Sequence, residues 1–199
     1  MSEVLKFNTE SWKEDLDKKA KEHIPLFPLV PETHAALKEK TVEFDFTNPQ
    51  VNPNEFASSL VETCKHYGGL GLSANQCGFN YRVFVMGSGD NYVAYFNPKI
   101  LETSTEQEHL DEGCLSFPAL FIKVTRPSKI KIQYQDFNGE THQKEFHGMT
   151  ARCFLHEYDH MEGITFDTRA KPMALALAKK KRVKLFSKIA RSGMRLGTN

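Results

Sequence analysis

The segment that most restricts the fold is His156-Glu157-Tyr158-Asp159-His160. Two imidazoles four residues apart stand on one face of an α-helix, where both can bind one ion. Glu157 is turned by about 100° from His156 on such a helix, so its carboxylate faces a water on that ion as a general base rather than as a ligand. The alternative is a pair of unrelated histidines on a surface helix, because so short a pattern recurs by chance. The segment predicts a helix and leaves both roles open.

The rest of the chain changes between helical and strand periodicity. Apolar residues recur every three or four positions in some segments and alternate with polar residues in others. The predicted elements are a polar helix within residues 1–24, helix Asn54–Tyr67, strands Tyr81–Met86, Tyr92–Phe96, Phe121–Val124, Lys129–Tyr134 and Thr141–Phe146, helix Gly148–Glu162 and helix Ala170–Ala190. The turn residues Asp136–Gly139 predict that Lys129–Tyr134 and Thr141–Phe146 form a hairpin. Strands gathered between helices predict an α+β fold, in which antiparallel β-sheets pack around a central helix that carries the His156–His160 segment.

Charge is distributed unevenly along the 199 residues. Residues 1–168 hold 16 basic and 25 acidic side chains, a net charge of −9, whereas residues 169–199 hold ten basic and no acidic ones. Only the tail therefore suits a polyanionic partner. The chain lacks both the apolar core of a signal peptide and a run of about 18 apolar residues. We expect a cytoplasmic protein that is soluble, does not associate with a membrane and forms no disulfides between its four cysteines.

A third metal ligand is harder to place. Zinc peptidases with this motif usually take it from downstream, but no histidine follows His160, and Asp167 is a weak substitute. An upstream ligand is favoured. Cys114 is the first candidate, in a loop between predicted strands, and Cys153 is its rival, because it precedes His156 by three residues and shares its helical face. Either thiol could equally be a small core residue.

Three segments together resemble the signature motifs of the peptide deformylases, in the same order. They are Gly69-Leu70-Gly71-Leu72-Ser73-Ala74-Asn75-Gln76, Glu112-Gly113-Cys114-Leu115-Ser116 and His156–His160. The resemblance covers about residues 25–169. This chain has Ser73 where the family usually has alanine, Leu155 where glutamine is common and Thr168 where aspartate is frequent.

The resemblance implies a metal-dependent hydrolase that removes the N-formyl group from the N-terminal methionine of newly made polypeptides. It implies that Cys114, His156 and His160 hold one divalent ion, with Glu157 as the acid and base of the reaction. Iron(II) is characteristic of the family, and zinc, nickel or cobalt often replaces it. This donor set accepts all four ions.

The resemblance also assigns the groups around the substrate. The Gln76 side-chain amide and the Leu115 backbone N–H would stabilise the oxyanion that forms during attack on the formyl carbon. Leu70, Gly71 and Gly113 would flank the extended formyl-methionyl peptide, since glycine permits close approach of another backbone.

The chain accordingly divides into an N-terminal extension (1–24), a catalytic domain (25–169) and a basic C-terminal helix and tail (170–199). The tail either packs on the acidic body or docks on ribosomal RNA, as a C-terminal helix does in the family, and we expect a monomer. Two other functions are compatible with parts of the sequence. One is a general zinc endopeptidase, which needs the missing downstream ligand, and the other is an RNA-binding module with a structural metal closed by four protein ligands.

Overall fold

The computed structural model describes residues 24–192, so residues 1–23 of the predicted extension, with its predicted helix, lie outside the described part of the chain. The elements are α1 (Pro53–His66), β1 (Gly71–Ser73), β2 (Val83–Ser88), β3 (Asn91–Thr103), β4 (Gln107–Cys114), β5 (Phe117–Pro127), β6 (Lys129–Gln135), β7 (Thr141–His147), α2 (Gly148–Met161) and α3 (Pro172–Ser192). None of the helices within residues 24–192 has the length and apolar character that a bilayer crossing requires.

The strands form two antiparallel sheets. Five of them lie side by side in the order β1-β2-β3-β6-β7, with β1 at one edge. The other two, β4 and β5, form a separate ribbon, paired from Gln107 opposite Pro127 to Cys114 opposite Phe117. The α+β class with antiparallel sheets is therefore confirmed.

The five-stranded sheet has a helix on each face, and strand β2 shows why. Successive side chains of a strand point to opposite faces. Val83 and Val85 belong to the cluster that α1 covers, whereas Phe84 and Met86 belong to the cluster that α2 covers. Because both faces of β2 are buried, its sequence is a continuous apolar run rather than an alternation.

Helix α2 is the central helix, with most of its residues buried. It begins at Gly148, and the chain leaves it through Gly163, whose φ is +69°. A Cβ added at Gly163 would lie 2.7 Å from the carbonyl oxygen of Lys38. Both the backbone conformation and the close approach require glycine, and they fix where α2 ends.

A third apolar cluster lies between the ribbon and α3. Leu120, Ile122 and Val124 alternate along β5 and are buried there. One stripe of α3 packs on this cluster through Ala174, Leu175 and Ala178, and farther along Arg182 forms an ion pair of 2.7 Å with Glu32. The other faces of α3 are exposed. The division of the chain at residues 169 and 170 stays a prediction.

The predicted helices and the hairpin of β6 and β7 agree with the structure to within one or two residues. Two strands were not predicted: β1, which lies in a glycine-rich run, and β4, which is mostly polar. The expectation that Cys114 sits in a loop was wrong, since Cys114 is the last residue of β4. The only buried side chain of β4 is the charged Glu112, so hydropathy gives no sign of a strand.

Candidate active site

Helix α2 and strand β4 bring three ligand-type side chains together. The Sγ atom of Cys114 lies 3.3 Å from Nε2 of His160, and the rings of His156 and His160 have centroids 5.2 Å apart. One donor atom from each residue lies within 4.8 Å of the other two. Ligands at about 2.0–2.3 Å from a tetrahedral ion stand about 3.5 Å apart. The three donors therefore fit one ion and leave one position free.

The surroundings of these donors favour a cation. Burial lowers the pKa of His160 well below its ordinary value, so this imidazole is neutral and has a free lone pair. At His156 burial also lowers the pKa, but the Cys114 sulfur and the Glu112 carboxylate outweigh it and raise the pKa to about 10. A positive charge is therefore favoured between the Glu112 carboxylate and the Cys114 sulfur, and one sulfur with two imidazoles suits a transition metal.

Glu112 orients the first histidine. Its Oε2 accepts a hydrogen bond of 3.1 Å from Nδ1 of His156, which leaves Nε2 of that ring directed at the other donors. A carboxylate behind a histidine ligand fixes the tautomer and the ring orientation. In the sequence, Glu112 stands out only as the first residue of the motif that holds Gly113 and Cys114.

Glu112 is in turn held by buried arginines. Arg126 donates to both of its oxygens, at 2.6 and 2.8 Å, and Arg152 donates to Oε1 at 2.6 Å. Arg126 also donates to Asp159 at 2.8 Å, and Asp159 accepts two further hydrogen bonds from Arg169. This network joins β4 and β5 to α2 around the three candidate ligands, and each charge within it has a partner.

Glu157 stands beside the ligand group but is not part of it. Its side chain is buried, and Oε2 accepts a hydrogen bond of 2.7 Å from Oγ of Ser73. A Cβ at Gly71 would lie 2.5 Å from Oε1, so glycine leaves the space that the carboxylate fills. Burial raises the pKa of Glu157, as expected for a group that gives and takes a proton near neutral pH.

Gln76 reaches the same site from the 3-10 turn after β1. Its Oε1 accepts a hydrogen bond of 2.9 Å from the backbone N–H of Ser73, which fixes the orientation of the amide. Its Nε2 consequently faces Ser116 Oγ at 3.1 Å and the Cys114 sulfur at 3.4 Å. The amide donor is thus directed at the ligand group.

A cavity of about 860 Å³ opens beside these residues. Its lining includes Leu70, Gly71, Gly113 and Leu115. Phe121 packs so closely on Gly113 that an added Cβ would come within 2.7 Å of its ring. The sequence-predicted substrate residues therefore border one cavity next to the three metal-type donors.

The two other candidate ligands lie elsewhere. Cys153 is on the cavity wall, its Sγ 3.6 Å from the carbonyl oxygen of Leu70, and burial raises the pKa of its thiol well above the ordinary value. Asp167 accepts a hydrogen bond of 2.7 Å from Thr165. Neither belongs to the donor group that Cys114 completes within the described residues.

Comparison with known proteins gives consistent matches. Residues 27–175 match the polypeptide deformylase family. The peptide deformylase of Thermotoga neapolitana is 45% identical over 122 residues, which are 61% of this chain and 74% of that protein. The crystal structure of the Thermotoga maritima peptide deformylase is 38% identical, with a TM-score of 0.68, and the match covers 74% of this chain and 99% of that one. A peptide deformylase from Acinetobacter baumannii, solved with Met-Ala-Ser bound, is 29% identical, with a TM-score of 0.70. This match also covers 74% of this chain and 99% of that one.

Proposed function

The chain belongs to the polypeptide deformylase family, and on this premise we propose that Cys114, His156 and His160 hold its metal ion while Glu157 carries protons. The enzyme hydrolyses the N-formyl group from the N-terminal methionine of newly synthesised polypeptides and releases formate. The observation that supports this assignment of residues is the convergence of one sulfur and two imidazoles beside a buried carboxylate that is not a ligand.

Each protein group in the site has a separate role in the proposed reaction. When bound, the ion supplies a Lewis acid that lowers the pKa of water from 15.7 toward about 7. Glu157 accepts a proton from the attacking water and delivers it to the departing amine. The Gln76 Nε2 group and the Leu115 backbone N–H donate to the oxygen on which negative charge develops. Glu112 and its arginines keep His156 in the tautomer that can bind the ion.

The cavity suits an extended peptide with an apolar first side chain. The relative from Acinetobacter baumannii binds Met-Ala-Ser, and we infer that the methionine of the substrate enters the corresponding cavity here. Strand β1, with Gly71, is an edge strand, and Gly113 belongs to the ribbon. Leu70, Gly71 and Gly113 would then flank the peptide backbone, which gains main-chain hydrogen bonds from a strand edge.

The ion proposed for the cell is iron(II), with zinc, nickel or cobalt as functional substitutes. One thiolate and two imidazoles accept all of them, so availability rather than geometry selects the ion. The identity of the ion is decided by the metal content of protein purified without oxygen, together with the activity of protein reloaded with each ion in turn.

Helix α3 supports a second proposal, that the enzyme docks on ribosomal RNA in the cytoplasm as a monomer. Its packed stripe faces the ribbon, whereas Lys180, Lys184 and Lys188 are exposed on the rest of its surface. Replacing these three with glutamine leaves the packed stripe intact. We expect unchanged activity on short formyl-methionyl peptides and weaker co-sedimentation with ribosomes at low salt, because phosphate contacts are salt-sensitive. Unchanged co-sedimentation would eliminate this docking surface.

Metal content and formate release, measured together, test the proposed roles of Glu157 and Cys114. Glu157→Gln should retain the ion and lose about 10²–10⁴-fold or more in turnover. Cys114→Ser should lose both the ion and activity, whereas the matched control Cys153→Ser keeps the ion. Full metal occupancy in Cys114→Ser would remove Cys114 from the site. An unformylated peptide serves as the control substrate, and its cleavage would indicate an endopeptidase instead.

A further inference from the structure

Ser73 contacts the proposed proton carrier directly. Its side chain is 0% exposed. The Oγ atom lies 2.7 Å from Oε2 of Glu157 and 3.3 Å from the backbone carbonyl oxygen of the same residue. A hydroxyl has one proton to donate, and the shorter contact, to a carboxylate, is the stronger hydrogen bond. Ser73 therefore donates to Oε2.

This hydrogen bond makes the two carboxylate oxygens different. Oε2 is taken by Ser73, which is the one donor to this carboxylate among residues 24–192. Oε1 lies over Gly71, where the missing side chain leaves room, and Glu157 borders the cavity. The oxygen that stays free is thus Oε1, which lies next to Gly71 on the lining of the cavity.

Ser73 is itself held rigidly. It is the last residue of β1 and pairs with Phe84 of β2, the strand next to the edge strand. Its backbone N–H donates to Oε1 of Gln76, at 2.9 Å. One residue thereby holds the carboxylate of Glu157 through its side chain and the amide of Gln76 through its backbone. Groups fixed in this way lose little entropy when the reaction begins.

We propose that Ser73 is a positioning residue, whose hydroxyl fixes the Glu157 carboxylate so that Oε1 points at the reacting water. The proposal rests on the role proposed above for Glu157. The hydroxyl is a feature of this chain, because the family usually has alanine at this position. Proton transfer needs donor and acceptor within hydrogen-bond reach in a defined direction, and a carboxylate free to rotate meets that condition less often.

The first test is a comparison of serine variants. Ser73→Ala should lower kcat by roughly tenfold, which is a modest part of a general-base effect, with KM changed less than about twofold. Ser73→Cys keeps a donor at this position, but a thiol donates only weakly, so its kcat should fall between those of wild type and Ser73→Ala. The matched control is Ser128→Ala, since Ser128 is also buried and donates to a glutamate, Glu106, at 3.1 Å. Equal kcat in Ser73→Ala and wild type would overturn the proposal.

A double-mutant comparison separates positioning from a general structural effect. In a Glu157→Gln background the fold-change caused by Ser73→Ala should vanish, because the group that Ser73 acts through has gone. The same tenfold loss in both backgrounds would show that Ser73 acts by another route. Near-normal activity of Glu157→Gln alone would instead refute the proposed role of Glu157, so the two failures are distinguishable.

A spectroscopic measurement tests the hydrogen bond from Ser73 to Glu157 without measuring activity. In zinc-loaded protein with ¹³C-labelled glutamate, the Glu157 carboxylate resonance is identified by its loss in Glu157→Gln. Ser73→Ala should shift this resonance, because the hydrogen bond to Oε2 is removed, and Ser128→Ala should leave it in place. A resonance that does not move in Ser73→Ala would mean that the hydrogen bond is absent in solution, and the proposal would fail.

Discussion

Replacing Glu112 with glutamine should destabilise the protein more than any exposed substitution on the same strand. The carboxylate accepts four hydrogen bonds, from Arg126 twice, from Arg152 and from His156. A glutamine amide of the same shape retains one oxygen and turns an NH₂ group toward donors. Of the two buried arginines, Arg126 then keeps only Asp159 as a counter-ion and Arg152 keeps none within residues 24–192. Breaking a buried pair from one side costs about 3–5 kcal/mol.

The pKa of Glu112 gives a second, independent value for the stability that its carboxylate contributes. Burial raises this pKa, but the hydrogen bond from His156 and the charge and hydrogen bonds of Arg126 outweigh it and bring the pKa from 4.5 to about 2. At about 1.4 kcal/mol per pKa unit, the ionised carboxylate stabilises the folded state by about 3 kcal/mol. Because the folded-state pKa is the lower one, this contribution is complete above pH 4.5 and disappears as the pH falls toward 2.

Urea unfolding of metal-stripped protein, followed by circular dichroism, measures this difference. At pH 7 Glu112→Gln should be less stable than wild type by about 3 kcal/mol, and the gap should shrink to roughly half near pH 3. Glu108→Gln, on the same strand, should stay within about 0.5 kcal/mol of wild type. A gap below about 1 kcal/mol at pH 7, or one that widens in acid, would refute the reasoning. In the reloaded protein, the loss of the partner of His156 should weaken metal binding about 10–100-fold.

Three smaller changes have equally definite outcomes. Gly71→Ala places a Cβ 2.5 Å from Oε1 of Glu157. Turnover should therefore fall at least about tenfold while metal content stays at the wild-type level. Unchanged turnover would show that the carboxylate does not act from this position. Gly163→Ala combines a φ of +69° with a contact of 2.7 Å to Lys38, and thermal unfolding should show a loss of at least about 1–3 kcal/mol. Asn52→Ala removes the side chain that caps α1 and should cost about 1 kcal/mol in the same measurement, whereas a cost near zero would mean that water replaces the cap.

Periodicity predicted the helices and the hairpin because their burial follows a repeating pattern. Helix α2 was predicted as Gly148–Glu162 and is Gly148–Met161. Strand β4 has no such pattern, because its single buried side chain carries a charge that is neutralised by two arginines distant in the sequence. Strand β1 has three residues, too few for any alternation to be visible. Both missed strands border the active site, where local rules yield to the demands of binding.

The site was predictable in its residue types and less so in its contacts. The spacing of His156 and His160 indicated a shared ion, but spacing alone left Cys114 and Cys153 as alternatives. The resemblance to the deformylases chose between them, and the structure places the Cys114 sulfur 3.3 Å from His160. The bonds from Ser73 to Glu157 and from His156 to Glu112 each join residues far apart in sequence, and no local pattern encodes them.

The proposed ligands are divided between a separate ribbon and the central helix, so the ion would also connect two parts of the fold. An ion shared by Cys114 and the two histidines would act as a cross-link between residues as far as 46 positions apart in the chain, and closing so long a loop restricts the open states of the molecule. A copy without its ion would therefore lose one attachment of its ribbon together with its reaction. Proteases cut the chain that opens most often, so limited proteolysis should cleave metal-stripped protein faster than metal-loaded protein.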